Sequence, residues 1–241
     1  MIRAILFDLD GTLLDNDIQS FLGPYFRLLT RKLSRLVPPE VLTRQVMAST
    51  QAMMRNADPG KTNQQVFMED FFSRIGRTPD EMMPLFDEFY EKDFPTLKRY
   101  TRVRPEARPL VQECFQRGYD VVIATNPVFP LAAVQHRLHW AEVGDFPYAL
   151  VTAYENMHFC KPHLGYYLEI AEKIGRAPSE CIMVGNDAQI DMVAGDAGMA
   201  TFYVDYSGDL SAWGVAADYH GTLEGFRRLV ESWPAPEKPG Q

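Results

Sequence analysis

Three short runs in this chain are apolar at every position and stop abruptly at polar residues. They are Ala4-Ile5-Leu6-Phe7 before Asp8, Val121-Val122-Ile123-Ala124 before Thr125, and Ile182-Met183-Val184 before Gly185. A strand with one solvated face alternates apolar and polar residues. A strand that never alternates is covered on both faces, which calls for a parallel sheet packed between helices. The connecting segments supply those helices. Pro105 to Arg117, Pro130 to Trp140, Pro162 to Ile174 and Ala188 to Ala197 each carry apolar residues three or four apart, and Gly118, Gly175 and Gly198 stand where helix C-caps belong. With strands over 3–8, 120–125, 148–153, 181–185 and 201–205, the pattern predicts an α/β fold, a doubly wound (Rossmann-like) parallel sheet. Ala217-Asp218-Tyr219 reads as a short edge strand and Thr222 to Ser232 as a last helix. The Pro-rich tail from Pro234 is expected to fray.

Residues 16–102 break the alternation. Helical spacing recurs there, in Phe21-Tyr25-Leu28-Leu29, Val41 to Met54, Val66 to Ile75 and Met82 to Tyr90, with breaks at Pro38-Pro39, Asp58-Pro59-Gly60 and Gly76 to Pro79. The expected division is a core of 1–15 and 103–241 with a helical insertion over 16–102. The Met and aromatic stripes, Met53-Met54 and Phe71-Phe72 among them, read as the insertion's own core.

A chain of 241 residues with 46% hydrophobic content can build such a core. No run of about 18 apolar residues is present, and no signal peptide is expected, so a cytoplasmic protein that does not bind membranes is predicted. Cys114, Cys160 and Cys181 have no metal-ligand spacing and are read as reduced thiols, Cys160 as a packing residue. The net charge of −8 argues against nucleic-acid binding, which rests on a basic face. That charge is uneven: residues 16–102 carry 13 Lys and Arg against 11 Asp and Glu, the remainder 11 against 21. A basic insertion over an acidic body would suit an anionic substrate, although solvated helix faces give the same counts.

Asp8-Leu9-Asp10-Gly11-Thr12 puts two acids where a buried strand ends, a costly arrangement unless a cation or reacting group compensates it. As a bare turn it would be ordinary. It is followed, in order, by Thr125-Asn126, Lys161-Pro162 and Gly185-Asn186-Asp187-Ala188-Gln189-Ile190-Asp191, each at or shortly after a strand. In a parallel sheet the carboxyl ends share one edge, where ligands bind, so Asp8, Thr125 and Asp187 converge there and Lys161 can reach them. Together these segments resemble the four motifs of the haloacid dehalogenase superfamily, on its phosphatase branch, with a helical cap inserted between the first and second motifs.

The resemblance implies a Mg²⁺-dependent phosphatase that hydrolyses a small phosphorylated metabolite through an aspartyl phosphate. Asp8 is then the nucleophile and Asp10 the acid and base that serves the leaving group and the attacking water. Thr125, Asn126 and Lys161 bind the phosphoryl oxygens, and Lys161 also neutralises Asp8. Mg²⁺ would be held by Asp8, the main-chain carbonyl of Asp10, and Asp187. Asp191 would hold Lys161 or a metal-bound water, its bland alternative being a solvated helix acid, and Thr12 braces the loop after Gly11. Many relatives carry Gly-Asp at the fourth motif. Here Asn186 intervenes and is read as structural. A phosphomutase shares both first-motif acids and stays open, as does a non-catalytic binding or regulatory module; a dehalogenase is disfavoured by Asp10. His136, His139 and His158 read as surface or packing residues. Arg31, Lys32, Arg55 and Lys61 are candidates for substrate contact in the insertion. Oligomeric state is not legible.

Overall fold

The computed structural model describes residues 1–206 and 216–236; of the tail expected to fray, residues 237–241 lie outside this range. Six strands form one sheet in the order β5 (Leu150–Val151), β4 (Asp120–Ile123), β1 (Ala4–Phe7), β6 (Cys181–Gly185), β7 (Ala200–Val204) and β8 (Tyr219–Gly221), and every neighbouring pair is parallel. The central strand β1 is fully buried, and its side chains part alternately to two cores. Ile5 and Phe7 pack with Ile123 and Val184 against helices α5 (Ala107–Gln116), α6 (Leu131–Trp140) and α8 (Leu223–Ser232). Ala4 and Leu6 pack with Val122 and Met183 against α7 (Leu164–Lys173) on the other face. This two-sided burial is why the runs never alternate. Removing each such side chain from water contributes about 1.5–3 kcal/mol.

Register fixes which residues meet at the carboxyl edge of the sheet. Phe7 lies opposite Ile123 and Val184, so Asp8, Ala124 and Gly185 leave the sheet side by side. The Asp8 amide donates to the Val184 carbonyl (2.9 Å) and the Ala124 amide to that of Phe7 (2.7 Å).

Between β1 and α5 the chain is helical apart from a two-stranded antiparallel ribbon, β2 (Leu14–Asp15) with β3 (Arg102–Val103), which pairs the entry to the insertion with its exit. Within lie α1 (Ile18–Leu33), α2 (Pro39–Met54), α3 (Asn63–Ile75) and α4 (Pro79–Glu88), then a π turn over Phe89–Asp93 and a 3₁₀ turn over Phe94–Tyr100. Their starts follow from local chemistry. The Asp17 carboxylate caps α1, and Thr62 with Gln65 and Thr78 with Glu81 form capping boxes on α3 and α4. Gly76 closes α3 at φ +68°, a left-handed conformation that costs glycine least. Of the stripes read as core, Met53 and Phe71 are fully buried, whereas Met54 is exposed. The insertion also packs on the body: Phe94 stacks on Trp140 of α6 with ring centroids 5.4 Å apart, and the Asn63 and Gln64 amides donate to the carbonyls of Met157 and Tyr154.

Three expected elements differ. The strand expected over 148–153 shortens to β5, and the edge strand falls two residues later, at β8. The helix expected over Ala188 to Ala197 is a 3₁₀ stretch of Met192–Ala197 preceded by a turn. The Asp187 carboxylate takes the amides of Gln189 and Ile190, and side chains that bind nearby backbone in this way compete with helix propagation. Among the described residues no helix is long and apolar enough to cross a membrane.

Candidate active site

The carboxyl edge of β1, β4 and β6 opens into a cavity of about 1130 Å³ lined by Asp8, Asp10, Thr125, Asn126, Lys161, Asp187 and Asp191 on the sheet side and by the insertion on the other. Lys161 is its electrostatic centre. The ammonium is buried and donates to Asp8 Oδ1 (2.9 Å) and Asp191 Oδ1 (2.6 Å), with the Tyr166 ring centroid 5.8 Å away. Burial works against its charge, but Asp191 and Asp8 outweigh it and hold Lys161 well above the ordinary lysine range. Asp8 is pushed up to about 7, chiefly by burial; Lys161 opposes this, while Asp191 and Asp10 add to it.

Asp191 is 1% exposed, not a solvated acid. Its Oδ2 accepts the Asp187 amide at 3.1 Å, so one carboxylate fixes both the lysine and the turn that carries Asp187. It fits only because residue 185 is glycine: a β-carbon there would lie 2.1 Å from Asp191 Oδ2.

Around the first motif, Thr12 is buried and its hydroxyl lies 3.2 Å from Asp8 Oδ2 and 2.9 Å from Asn186 Oδ1. Gly11 has φ +87° and faces Asn186, whose amide nitrogen would stand 2.7 Å from an added β-carbon. Asn186 thus closes down on the loop of the first motif. Thr125 is buried, its carbonyl accepting from the hydroxyls of Thr152 (2.7 Å) and Tyr166 (2.8 Å). The Asn126 side chain accepts the Lys161 amide at 3.2 Å, joining the second and third segments.

Two residues that sequence reasoning missed hold Asp10. Asn16, buried at the entry to the insertion, donates to Asp10 Oδ1 at 2.7 Å. Arg137 of α6, 2% exposed, forms an ion pair with Asp10 Oδ2 and lies over the Phe129 ring, 4.8 Å from its centroid. A signal for Arg137 existed: it sits three and four residues after Val134 and Ala133, on the buried stripe of its helix. Asn16 had none, because an Asn in a turn carries no periodicity. Nearby, Arg104 at the exit of the insertion donates to the Gly11 carbonyl and to Asp15 Oδ1, both at 3.3 Å, and stacks on Tyr206.

The candidate cations of the insertion stay away from the cavity: Arg31, Lys32, Arg55 and Lys61 do not line it, Lys32 pairing with Glu88 and Asp93 and Lys61 with Glu69. His136, read as a surface or packing residue, does line it. The thiol of Cys160 is buried and pushed up to about 12, a packing residue.

No three His, Cys, Asp or Glu side chains form a metal-binding group among the described residues. The donors read from sequence are instead two carboxylates, Asp8 and Asp187, and the Asp10 carbonyl. That set is made of hard oxygens only, and the four carboxylates Asp8, Asp10, Asp187 and Asp191 outnumber Lys161 and Arg137. An oxygen-rich edge with excess negative charge fits Mg²⁺, which takes few protein ligands and keeps water and substrate oxygens for the rest.

Comparison with known proteins bears on the fold and the family. Phosphatase MT3486 of Mycobacterium tuberculosis (strain CDC 1551 / Oshkosh) is 27% identical over 162 residues, 64% of this chain and 72% of that protein. Among solved structures, a 2-haloacid dehalogenase from Pseudomonas syringae pv. tomato DC3000 superposes with a TM-score of 0.65 at 21% identity, over 97% of this chain and all of that one. A HAD phosphatase from Thermococcus onnurineus gives 0.59 at 21% identity, over the same shares. At such identities the superpositions speak for the fold alone. The profile of the haloacid dehalogenase-like hydrolases, however, matches residues 2–198, and with the motif residues gathered at one sheet edge the chain belongs to that family of hydrolases.

Proposed function

We propose that this hydrolase is a Mg²⁺-dependent phosphatase acting in the cytoplasm on a small phosphorylated metabolite, with 16–102 as a cap domain over a core of 1–15 and 103–241. The observation that carries the reading is the pair of acids at the end of β1, with Asp8 held by Lys161 and Asp10 held on both oxygens by Asn16 and Arg137. Hydrolysis of a carbon–halogen bond releases halide and needs no proton donor, whereas an alkoxide leaving group does.

In the proposed reaction an Asp8 oxygen attacks phosphorus in line with the ester oxygen, the bond from phosphorus to that oxygen breaks, and Asp10 supplies the proton to the departing alcohol. Asp10 then takes a proton from the water that cleaves phospho-Asp8, releasing inorganic phosphate. Thr125 through its hydroxyl, Asn126 through its amide and Lys161 through its ammonium would hold the non-bridging oxygens. Asp8, the Asp10 carbonyl and Asp187 would hold Mg²⁺, which supplies charge neutralisation on the phosphoryl group. Asp191 fixes Lys161, and Thr12 braces Asp8. Asn16 and Arg137 each take one Asp10 oxygen and fix its orientation, and each oxygen keeps a lone pair that can carry the transferred proton. Asn16 lies beside the β2–β3 ribbon, so cap movement on that hinge is coupled to Asp10.

The three cysteines are free and buried, in keeping with a reducing compartment. The test is a panel of phosphomonoesters incubated with Mg²⁺. Release of inorganic phosphate supports the reading. Conversion to an isomer without free phosphate would indicate a mutase, and halide from a 2-haloacid a dehalogenase.

A further inference from the structure

The wall of the cavity supplied by the helical insertion is largely apolar and aromatic, with Tyr25, Phe26, Met47, Phe67, Phe86 and Tyr90 among its residues. The Tyr25 and Tyr90 hydroxyls are 3.0 Å apart, and burial pushes the Tyr25 phenol up to about 12, so this pair brings no charge. Residues 16–102 hold 13 Lys and Arg, and none of them lines the cavity. The charges they do contribute there are negative: Asp17, Asp87 and Glu91.

Among the described residues, the cations that line the cavity come from the body of the protein, and each is matched by acid. Lys161 lies between Asp8 and Asp191, and Arg104 lies 3.3 Å from Asp15. Arg137 has a buried Nη2 without a hydrogen-bond partner, but Asp10 touches the same guanidinium and balances its charge. Burial holds His136 below its ordinary range, which leaves it neutral at neutral pH. A carboxylate or second phosphate on the far half of a substrate would therefore be desolvated without an unmatched cation to receive it, and would face the acids. Apolar surface would instead displace water from the aromatic wall.

Resting on the phosphatase reading above, we propose that the substrate is a phosphomonoester whose alcohol half is bulky, apolar and free of negative charge, lying against Tyr25, Phe26, Met47, Phe67 and Phe86. Hydrolysis breaks its phosphorus–oxygen ester bond and consumes one water, and the products are a neutral alcohol and inorganic phosphate.

The test compares 1-naphthyl phosphate with 3-phosphoglycerate, in kcat/KM with Mg²⁺ for the parent and in Kd by calorimetry for Asp8→Asn, which binds without turning over. At least a tenfold preference for 1-naphthyl phosphate is expected in both. Met47 is 51% exposed on α2, so Met47→Lys adds a cation to this wall without disturbing a packed core, and should reduce the preference about tenfold. Equal or better use of 3-phosphoglycerate would overturn the inference and leave the phosphatase reading intact. So would an unchanged preference in Met47→Lys. If neither ester is hydrolysed, the calorimetric comparison still decides what the cavity accepts, and the phosphatase reading fails only if the whole panel of phosphomonoesters also releases no inorganic phosphate.

Discussion

Replacing Gly185 with alanine should evict Asp191 from beside Lys161. The alanine β-carbon would stand 2.1 Å from Asp191 Oδ2 and 2.3 Å from its Cγ, and the backbone of β6 is fully buried, so the carboxylate is the part that must move. Moving it breaks the 2.6 Å bond from Lys161 and the 3.1 Å bond from the Asp187 amide. Hydrogen bonds to an ionised group are worth about 1.5–3 kcal/mol each. Relief of repulsion between Asp191 and Asp8 returns part of this, so a net loss of about 3 kcal/mol is expected. In urea, with a slope of about 3 kcal/mol/M, the unfolding midpoint should fall by about 1 M. The double variant Gly185→Ala/Asp191→Ala identifies the cause. If the methyl acts by displacing Asp191, it costs almost nothing once that side chain is gone, and the cycle shows a coupling close to the whole cost of Gly185→Ala. A loss below about 1 kcal/mol, or additive losses, would refute the reasoning.

Asp187→Ala should raise the Mg²⁺ concentration needed for half-maximal turnover by at least tenfold, read from a metal titration; an unchanged titration would move the ligand elsewhere, Asp191 first. Treatment with a chelator should abolish turnover and added Mg²⁺ restore it, and full activity in metal-free buffer would remove the metal from the account. Arg137→Met should lower kcat at least tenfold with little change in KM, because it frees Asp10 from one of its two holds; the same kcat in steady-state assays would show that Arg137 serves packing alone.

The sheet was legible because full burial on both faces leaves an unmistakable pattern, as in Ala4 to Phe7, and because parallel topology carries the ends of such runs to one edge. Legibility failed where side chains override backbone preference. Ala188 to Ala197 has helical spacing, but Asp187 bonds the amides of Gln189 and Ile190, and no periodicity reports that choice. Arg137 stands on the buried stripe of its helix, but a stripe is read from its apolar members, so the arginine among them passed for a solvated neighbour although its position carried the signal. The charge surplus of 16–102 pointed toward an anionic substrate, yet charge counts do not say where side chains lie, and none of the 13 cations lines the cavity. The β2–β3 ribbon has two residues per strand, too few for any alternation to register.

The central claim is that the phosphoryl group passes through Asp8, and rapid acid quench of the enzyme during its first turnover of a phosphomonoester, followed by peptide mass spectrometry, tests it most directly. A phosphoryl group on Asp8 that forms before inorganic phosphate appears and decays as it accumulates is the predicted result. Release of inorganic phosphate at the parent rate from Asp8→Asn, or a first turnover that never labels Asp8, would contradict it.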